Sequence, residues 1–249
     1  MKVSIITVCL NSGATINETL KSVASQTYSD IEYIVIDGFS NDKTIKILSD
    51  FKAVIHKLIS EPDHGIYDAM NKGLDLATGD LICFLNADDF YASDFVVEQV
   101  VKKVKEGQLN VLFGDVVYVR RTDLSSITRR YRSNKFKPSF FSRGWMPAHP
   151  ATFITRPVVK RVGYFKSNYK IAADFDYMIR IFDDRCIRYE AISEVLVYMR
   201  TGGLSDNWKS KFLLNKEILK ACRDNGIHSN IIKILSRYPV KLLEYFNHM

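Results

Sequence analysis

Within the first 105 residues, short β-branched runs and helix-forming stretches alternate four times. Val3–Leu10 is apolar on both faces, as a strand buried in a parallel sheet must be. Thr15-Ile16-Asn17-Glu18 has capping-box spacing and predicts a helix from Ile16 to Gln26. Strands are then predicted at Glu32–Asp37, Val54–Ser60 and Leu81–Leu85. Helices follow them at Lys43–Phe51, Ile66–Ala77 and Asp94–Lys105. Such alternation implies right-handed βαβ units and an α/β fold: a Rossmann-like, mostly parallel sheet with helices on both faces.

In such sheets ligands sit beyond the carboxyl ends of the strands, where strand order reverses. Polar clusters fall at that edge: Asn11 after the first strand, Asp37 after the second, Glu61 and Asp63 after the third, Asp88 and Asp89 after the fourth. One such cluster is ordinary turn chemistry. Four make a cleft rich in carboxylates, which is repulsive until a cation enters it. A divalent metal held by one or two carboxylates and by substrate phosphates meets that need. Asp88-Asp89 can also be read as a strand end that caps a helix.

Familiar nucleotide folds are excluded by their turns. No GxGxxG follows the first strand, no GxxxxGK[ST] occurs, and there is no GxSxG elbow. The bulk numbers narrow the class further. With 47% hydrophobic residues and only 12 Gly and 6 Pro in 249, the chain is neither disordered nor low-complexity. No apolar run reaches roughly 18 residues, so no membrane-spanning helix is expected. The four cysteines are widely spaced without a CxxC, which points to a reducing, cytosolic-type compartment. MKVSIITVCL leads straight into Asn11-Ser12-Gly13 without a cleavage site and reads as a first strand, not an export signal.

The second half is less regular. Val111–Val119 and Val195–Met199 suggest strands, Ala151–Thr155 another, and residues 120–150 read as a basic, aromatic loop. Asp174–Phe182 and Trp208–Asn225 are helical. Residues 1–205 are expected to form one domain (1–110 binding a nucleotide-sugar, 111–205 an acceptor), with 206–249 a C-terminal helical extension.

VSIITVCLN, SQTYSDIEYIVIDGFSNDKT and EPDHGIYDAMNKGLDLATGDLICFLNADD together resemble the nucleotide-sugar half of family-two inverting glycosyltransferases of the A-type fold. HPATF at 149–153, AADFDYMIR at 172–180 and GGLS at 202–205 are similar to the acceptor half of the bacterial surface-polysaccharide branch. The resemblance implies a nucleoside-diphosphate sugar as donor, a UDP-sugar by default, and Mn2+ or Mg2+ as cofactor. It implies Asp37 and Asp63 as donor-binding acids, with Gly38 standing where many members carry a second acid. Asn11 and Asn71 are further donor-binding candidates. Asn86-Ala87-Asp88 overlays the D-x-D metal motif with Asn86 in the first place, so Asp88, then Asp89, are the implied metal ligands, and Asp88 also binds donor. Asp174 matches the general base, His149 a residue near the diphosphate or acceptor, and Gly202–Ser205 a mobile loop. On the residues alone, Asp174 is equally an acid favoured by a helix N-terminus. His149 is equally a hydrogen-bonded loop residue, and Trp145 is either an acceptor platform or a packing anchor.

From Arg120 to Arg161 eleven Lys/Arg face one acid, Asp123, although the whole chain carries only +7. An anionic partner fits this asymmetry. Nucleic acid is disfavoured by the carboxylate cleft and the lack of a recognition motif. An anionic inner-membrane surface is preferred, contacted by this stretch and by an amphipathic segment at Val240–Phe246. The expected activity is metal-dependent inverting transfer to a glycan or lipid-diphosphate-linked acceptor, in surface polysaccharide assembly. A catalytically silent nucleotide-sugar-binding module is the alternative.

Overall fold

A computed structural model describes residues 1–202 and 208–239. The order is β1 Val3–Cys9, α1 Ile16–Ala24, β2 Ile31–Asp37, α2 Thr44–Asp50, β3 Lys57–Ser60, α3 Ile66–Leu76, β4 Leu81–Phe84, β5 Phe90–Tyr91 and α4 Val96–Gly107. Then come β6 Val111–Arg120, β7 Asp123–Tyr131, 3-10 turns at Pro138–Arg143 and His149–Ala151, β8 Thr152–Thr155, α5 Arg156–Val162, α6 Ala173–Phe182, β9 Tyr189–Arg200, α7 Trp208–Asp224 and α8 Ile231–Leu235.

The strands form one sheet in the order β3-β2-β1-β4-β8-β6-β9-β5, with β7 paired to β6. β3, β2, β1 and β4 run parallel, as the alternation demands. The second half is mixed: β8 joins β4 and β6 antiparallel, whereas β6 and β9 are parallel. Strand order reverses at β1, so the crevice opens between the carboxyl ends of β1 and β4. All seven residues of β1 are buried, because helices cover both of its faces. Alternate residues split the core in two: Ile6, Val8, Ile34 and Phe84 pack toward α3 and α6, and Val3, Ile5, Val35 and Leu81 toward α1 and α4.

Three local expectations are corrected. Thr15 makes no side-chain cap on α1; Glu18 turns instead to Arg200, 3.2 Å away. The third strand starts only at Lys57, because Val54 and Ile55 close a turn onto Phe51. Residues 123–131 are a strand, not a loop. Among the described strands β7 pairs with β6 alone, and Arg129 is its one buried residue, so it lacks the apolar alternation by which a strand is read.

The basic stretch is partly consumed inside the molecule. Arg130 pairs with Asp115 at 2.8 Å, Arg161 pairs with Asp184, and buried Arg129 lies over the Tyr118 ring. α7 and α8 contribute Ile218, Ala221, Cys222 and Ile234 to the larger core. Among the described residues no helix is long and apolar enough to cross a membrane. Gly203–Ser205 and Val240–Phe246 lie outside the described residues.

Candidate active site

The parallel strands deliver their polar turns to one edge, and each turn has a distinct task. Asp37 ends β2 fully buried. Its carboxylate accepts the Ser40 N–H at 3.0 Å and the Ser60 hydroxyl at 2.7 Å. Asn11, at φ 50°, accepts the Asn41 N–H at 3.0 Å and so ties the first turn to the second. Asp63 accepts the Gly65 N–H at 2.8 Å, and its other oxygen occupies the space that a Cβ at position 38 would enter, so a side chain there would require the Asp63 carboxylate to move. Asn71 is engaged within the fold. Its amide clamps the backbone of Phe165, donating at 2.9 Å and accepting at 2.8 Å.

β4 ends in a tight turn in which the Asp89 N–H returns to the Asn86 carbonyl. Asp89 is 1% exposed and takes the Asn86 amide at 2.9 Å, so it faces inward and leaves Asp88 as the outward carboxylate. Arg200, itself buried, donates to the Asp88 carbonyl and fixes the turn. Desolvation pushes both carboxyls above the usual range, Asp89 the more strongly. Asn86 Oδ1 is buried without a partner. That orphaned amide oxygen and the part-exposed Asp88 carboxylate two residues on are hard oxygen donors of the kind Mg2+ or Mn2+ takes. No cluster of three His, Cys, Asp or Glu exists among the described residues, so further ligands to such an ion would be substrate oxygens or water.

A cavity of about 260 Å³ adjoins this turn, and Asn86, His149 and Asp174 all line it. Asp174 stands in the first turn of α6. Its Oδ1 accepts the Phe175 N–H at 2.8 Å and lies 3.4 Å from the Tyr67 hydroxyl, which donates to the Ile171 carbonyl. The helix end would favour its charge, yet burial outweighs that and raises the carboxyl to about 6. Glu32, at the opposite sheet edge, shows the contrary outcome: hydrogen bonds from Ser4 and Thr78 overcome burial and hold it near 2. His149 is 5% exposed and stacks on Phe84 at 5.0 Å; burial lowers it to about 4, so it is neutral at pH 7. Trp145 is a packing anchor, stacked on Tyr131 at 5.7 Å, that is also presented to the cavity.

The comparisons with known proteins bear on this geometry. Residues 4–166 match the family model described as Glycosyl transferase family 2. The chain belongs to that family. A PGL/p-HBAD biosynthesis glycosyltransferase of Mycobacterium bovis is 33% identical over 226 residues, covering 87% of this chain and 82% of that protein. An uncharacterized glycosyltransferase of Mycobacterium tuberculosis is 34% identical over 181 residues, 72% of this chain and 68% of the other. Among solved structures, S. aureus TarS 1–349 in complex with UDP-GlcNAc matches with a TM-score of 0.71 and 19% identity over 89% of this chain and 66% of that one. A mannosyltransferase of Pyrobaculum calidifontis in complex with GDP-Man and Mn2+ gives 0.63 and 19%, over 90% and 63%. Against a longer TarS chain the match spans 88% of this chain and only 40% of the other.

The family match stops before α6, so the Asp174 region of this glycosyltransferase is held by residues outside it. Glu217 on α7 is 7% exposed and accepts three successive backbone N–H groups, from Lys170, Ile171 and Ala172, at 2.8–3.0 Å. The segment entering Asp174 is thereby fastened to the C-terminal helices. Sequence reasoning missed Glu217; the only signal was an acid midway along a mainly basic amphipathic helix whose other acid, Asp224, is its last residue. A Gln there offers one acceptor oxygen for three donors. Glu217→Gln is therefore expected to lose on the order of 1–3 kcal/mol in urea unfolding. A loss below experimental error would show that the three bonds do not fasten the segment.

Proposed function

We propose that this glycosyltransferase is a metal-dependent, inverting, hexosyltransferase-type enzyme. Its donor would be a nucleoside-diphosphate sugar, UDP-linked by default, and its acceptor a glycan or lipid-diphosphate-linked glycan of surface polysaccharide assembly. The observation that carries the reading is Asp174: a carboxyl raised to about 6 by burial, in a cavity that also receives the turn carrying Asn86. A carboxylate of that strength accepts a hydroxyl proton more readily than an ordinary one and is still ionised at pH 7.

The acceptor oxygen, losing its proton to Asp174, forms the new bond at the anomeric carbon as the bond to the diphosphate breaks. With the base on the face opposite the leaving group, configuration inverts. Neutral His149 can hydrogen-bond substrate oxygens without competing as the base. Asp88 and Asn86 would hold the divalent ion, which supplies charge neutralisation for the departing diphosphate. The fold neighbours support the donor class, since their structures contain UDP-GlcNAc or GDP-Man with Mn2+.

NMR of the product's anomeric configuration tests the mechanism: it should be opposite to the donor's, and retention would refute a single displacement. The single outward carboxylate at the Asn86–Asp89 turn favours the second reading, a silent binding module, which predicts donor binding without turnover. We place the protein in the cytoplasm, with exposed basic residues such as Arg120, Arg121, Arg132 and Lys135 meeting an anionic membrane face. Co-sedimentation with anionic vesicles that ignores both salt and lipid charge would refute that placement.

A further inference from the structure

Arg237, just beyond α8, also lines the cavity that Asp174 faces. It is 4% exposed, and no carboxylate among the described residues pairs with it. Its terminal nitrogens donate to the Gly144 carbonyl and to Asn215 Oδ1, both at 2.8 Å, and the Tyr238 ring lies 5.4 Å away. These partners are neutral. Among the described residues Nε has no hydrogen-bond partner.

A guanidinium withdrawn from water without a counter-charge is disfavoured. The fold nevertheless builds around it. Gly144 takes φ 72°, and a Cβ there would meet the Arg237 guanidinium at 3.0 Å. The charged side chains of the cavity wall are Arg129 from β7, Arg237 and Asp174, with neutral His149 between elements. Among the described residues the one acid lining the cavity stands at the base position. A guanidinium with a vacant Nε–H is suited to an oxyanion, to which it can add charge-assisted hydrogen bonds. The stacked Trp145 and Tyr131 offer an apolar wall for a sugar ring.

We propose that the acceptor carries an anionic group, phosphate or carboxylate, which Arg237 binds in this cavity while the hydroxyl to be glycosylated faces Asp174. This rests on the reading of Asp174 as the base. It adds a substrate class and a recognising residue, one that lies in the C-terminal helical part.

The test is calorimetric. Protein saturated with UDP and Mn2+, so that donor phosphate positions are filled, is titrated with glucose 6-phosphate, glucuronic acid and glucose. At least one anionic sugar should bind tenfold or more tighter than glucose, and its identity separates phosphate from carboxylate. Arg237→Gln should abolish the difference, and Arg237→Lys, which keeps the charge, should retain part of it. Equal or undetectable binding of all three sugars to the parent overturns the proposal, even if the Gln variant fails to fold. So does a folded Arg237→Gln that keeps the anionic preference. If the parent turns over donor while treating the sugars alike, only this inference falls. Failure to bind or turn over any nucleotide-sugar removes the glycosyl-transfer reading as well.

Discussion

Asp174→Asn should lower transfer by roughly 10²- to 10⁴-fold above pH 7 while leaving nucleotide affinity within about twofold. The amide keeps the shape of the carboxylate and can still accept the Phe175 N–H, so the loss would be that of a proton acceptor. The parent's pH profile gives the same residue an independent signature. A base must be ionised to work, so kcat/KM should climb as pH rises through about 6 and level off above it. His149, held near 4, contributes no limb in that window. The groups facing Asp174 are Tyr67, Glu217 and the cavity's His149, Arg129 and Arg237. Glu217 adds a like charge that raises Asp174, so residual activity in Glu217→Gln should show the limb at lower pH.

Stability should move in the opposite direction to activity. The folded carboxyl titrates near 6 and its ordinary value is 3.8, so ionised Asp174 destabilises the fold. The penalty is absent below about pH 4, grows between the two values and is constant above 6. About two units correspond to at most ~3 kcal/mol. Asp174→Asn should therefore melt higher than the parent at pH 8, with the gap closing by pH 4. A variant that is inactive and also less stable at pH 8 would mean that Asp174 supports the structure and does not perform chemistry.

Asp88→Ala is expected to cost nucleotide-sugar affinity on the order of 100-fold, ~3 kcal/mol. Calorimetry with and without Mn2+ distinguishes the cause. In the parent, Mn2+ should tighten donor binding; in Asp88→Ala it should make little difference. Unfolding would not explain such a loss, because burial already disfavours the Asp88 charge and the turn is held by Arg200 and by the Asn86–Asp89 bond. Undiminished Mn2+ dependence in the variant would dismiss Asp88 as the ligand. Asp89→Asn should differ from it: removing an inward acid whose charge desolvation disfavours leaves the Asp88 carboxylate untouched.

The parallel half was legible because its information is local. β-branched runs, turn residues and helical periodicity repeat within about 25 residues of each other, and parallel connections leave little choice of handedness. That logic alone brought Asp37, Asp63 and Asp88 to one edge and put Asp174 in the first turn of a helix. Local pattern could not assign the direction of a side chain within a turn. Asp88 and Asp89 are adjacent and chemically alike; the Asn86 amide and the packing of Thr19 against the turn decide which one turns inward. The hydrogen bonds of Asn71 were illegible for a related reason. Their partner, the Phe165 backbone, is 94 positions away.

By itself the sequence determined the β1–β4 sheet, the edge at which ligands meet it and the acids available there. Tertiary structure decided the antiparallel joining of β8 to β4 and β6. It also decided the fastening of Asp174 by Glu217 and the burial of Arg237 against Gly144. Each of these depends on desolvation or on hydrogen bonds between segments tens of residues apart. A carboxyl displaced to about 6 is a property of what surrounds it, and those surroundings exist only once the chain has folded.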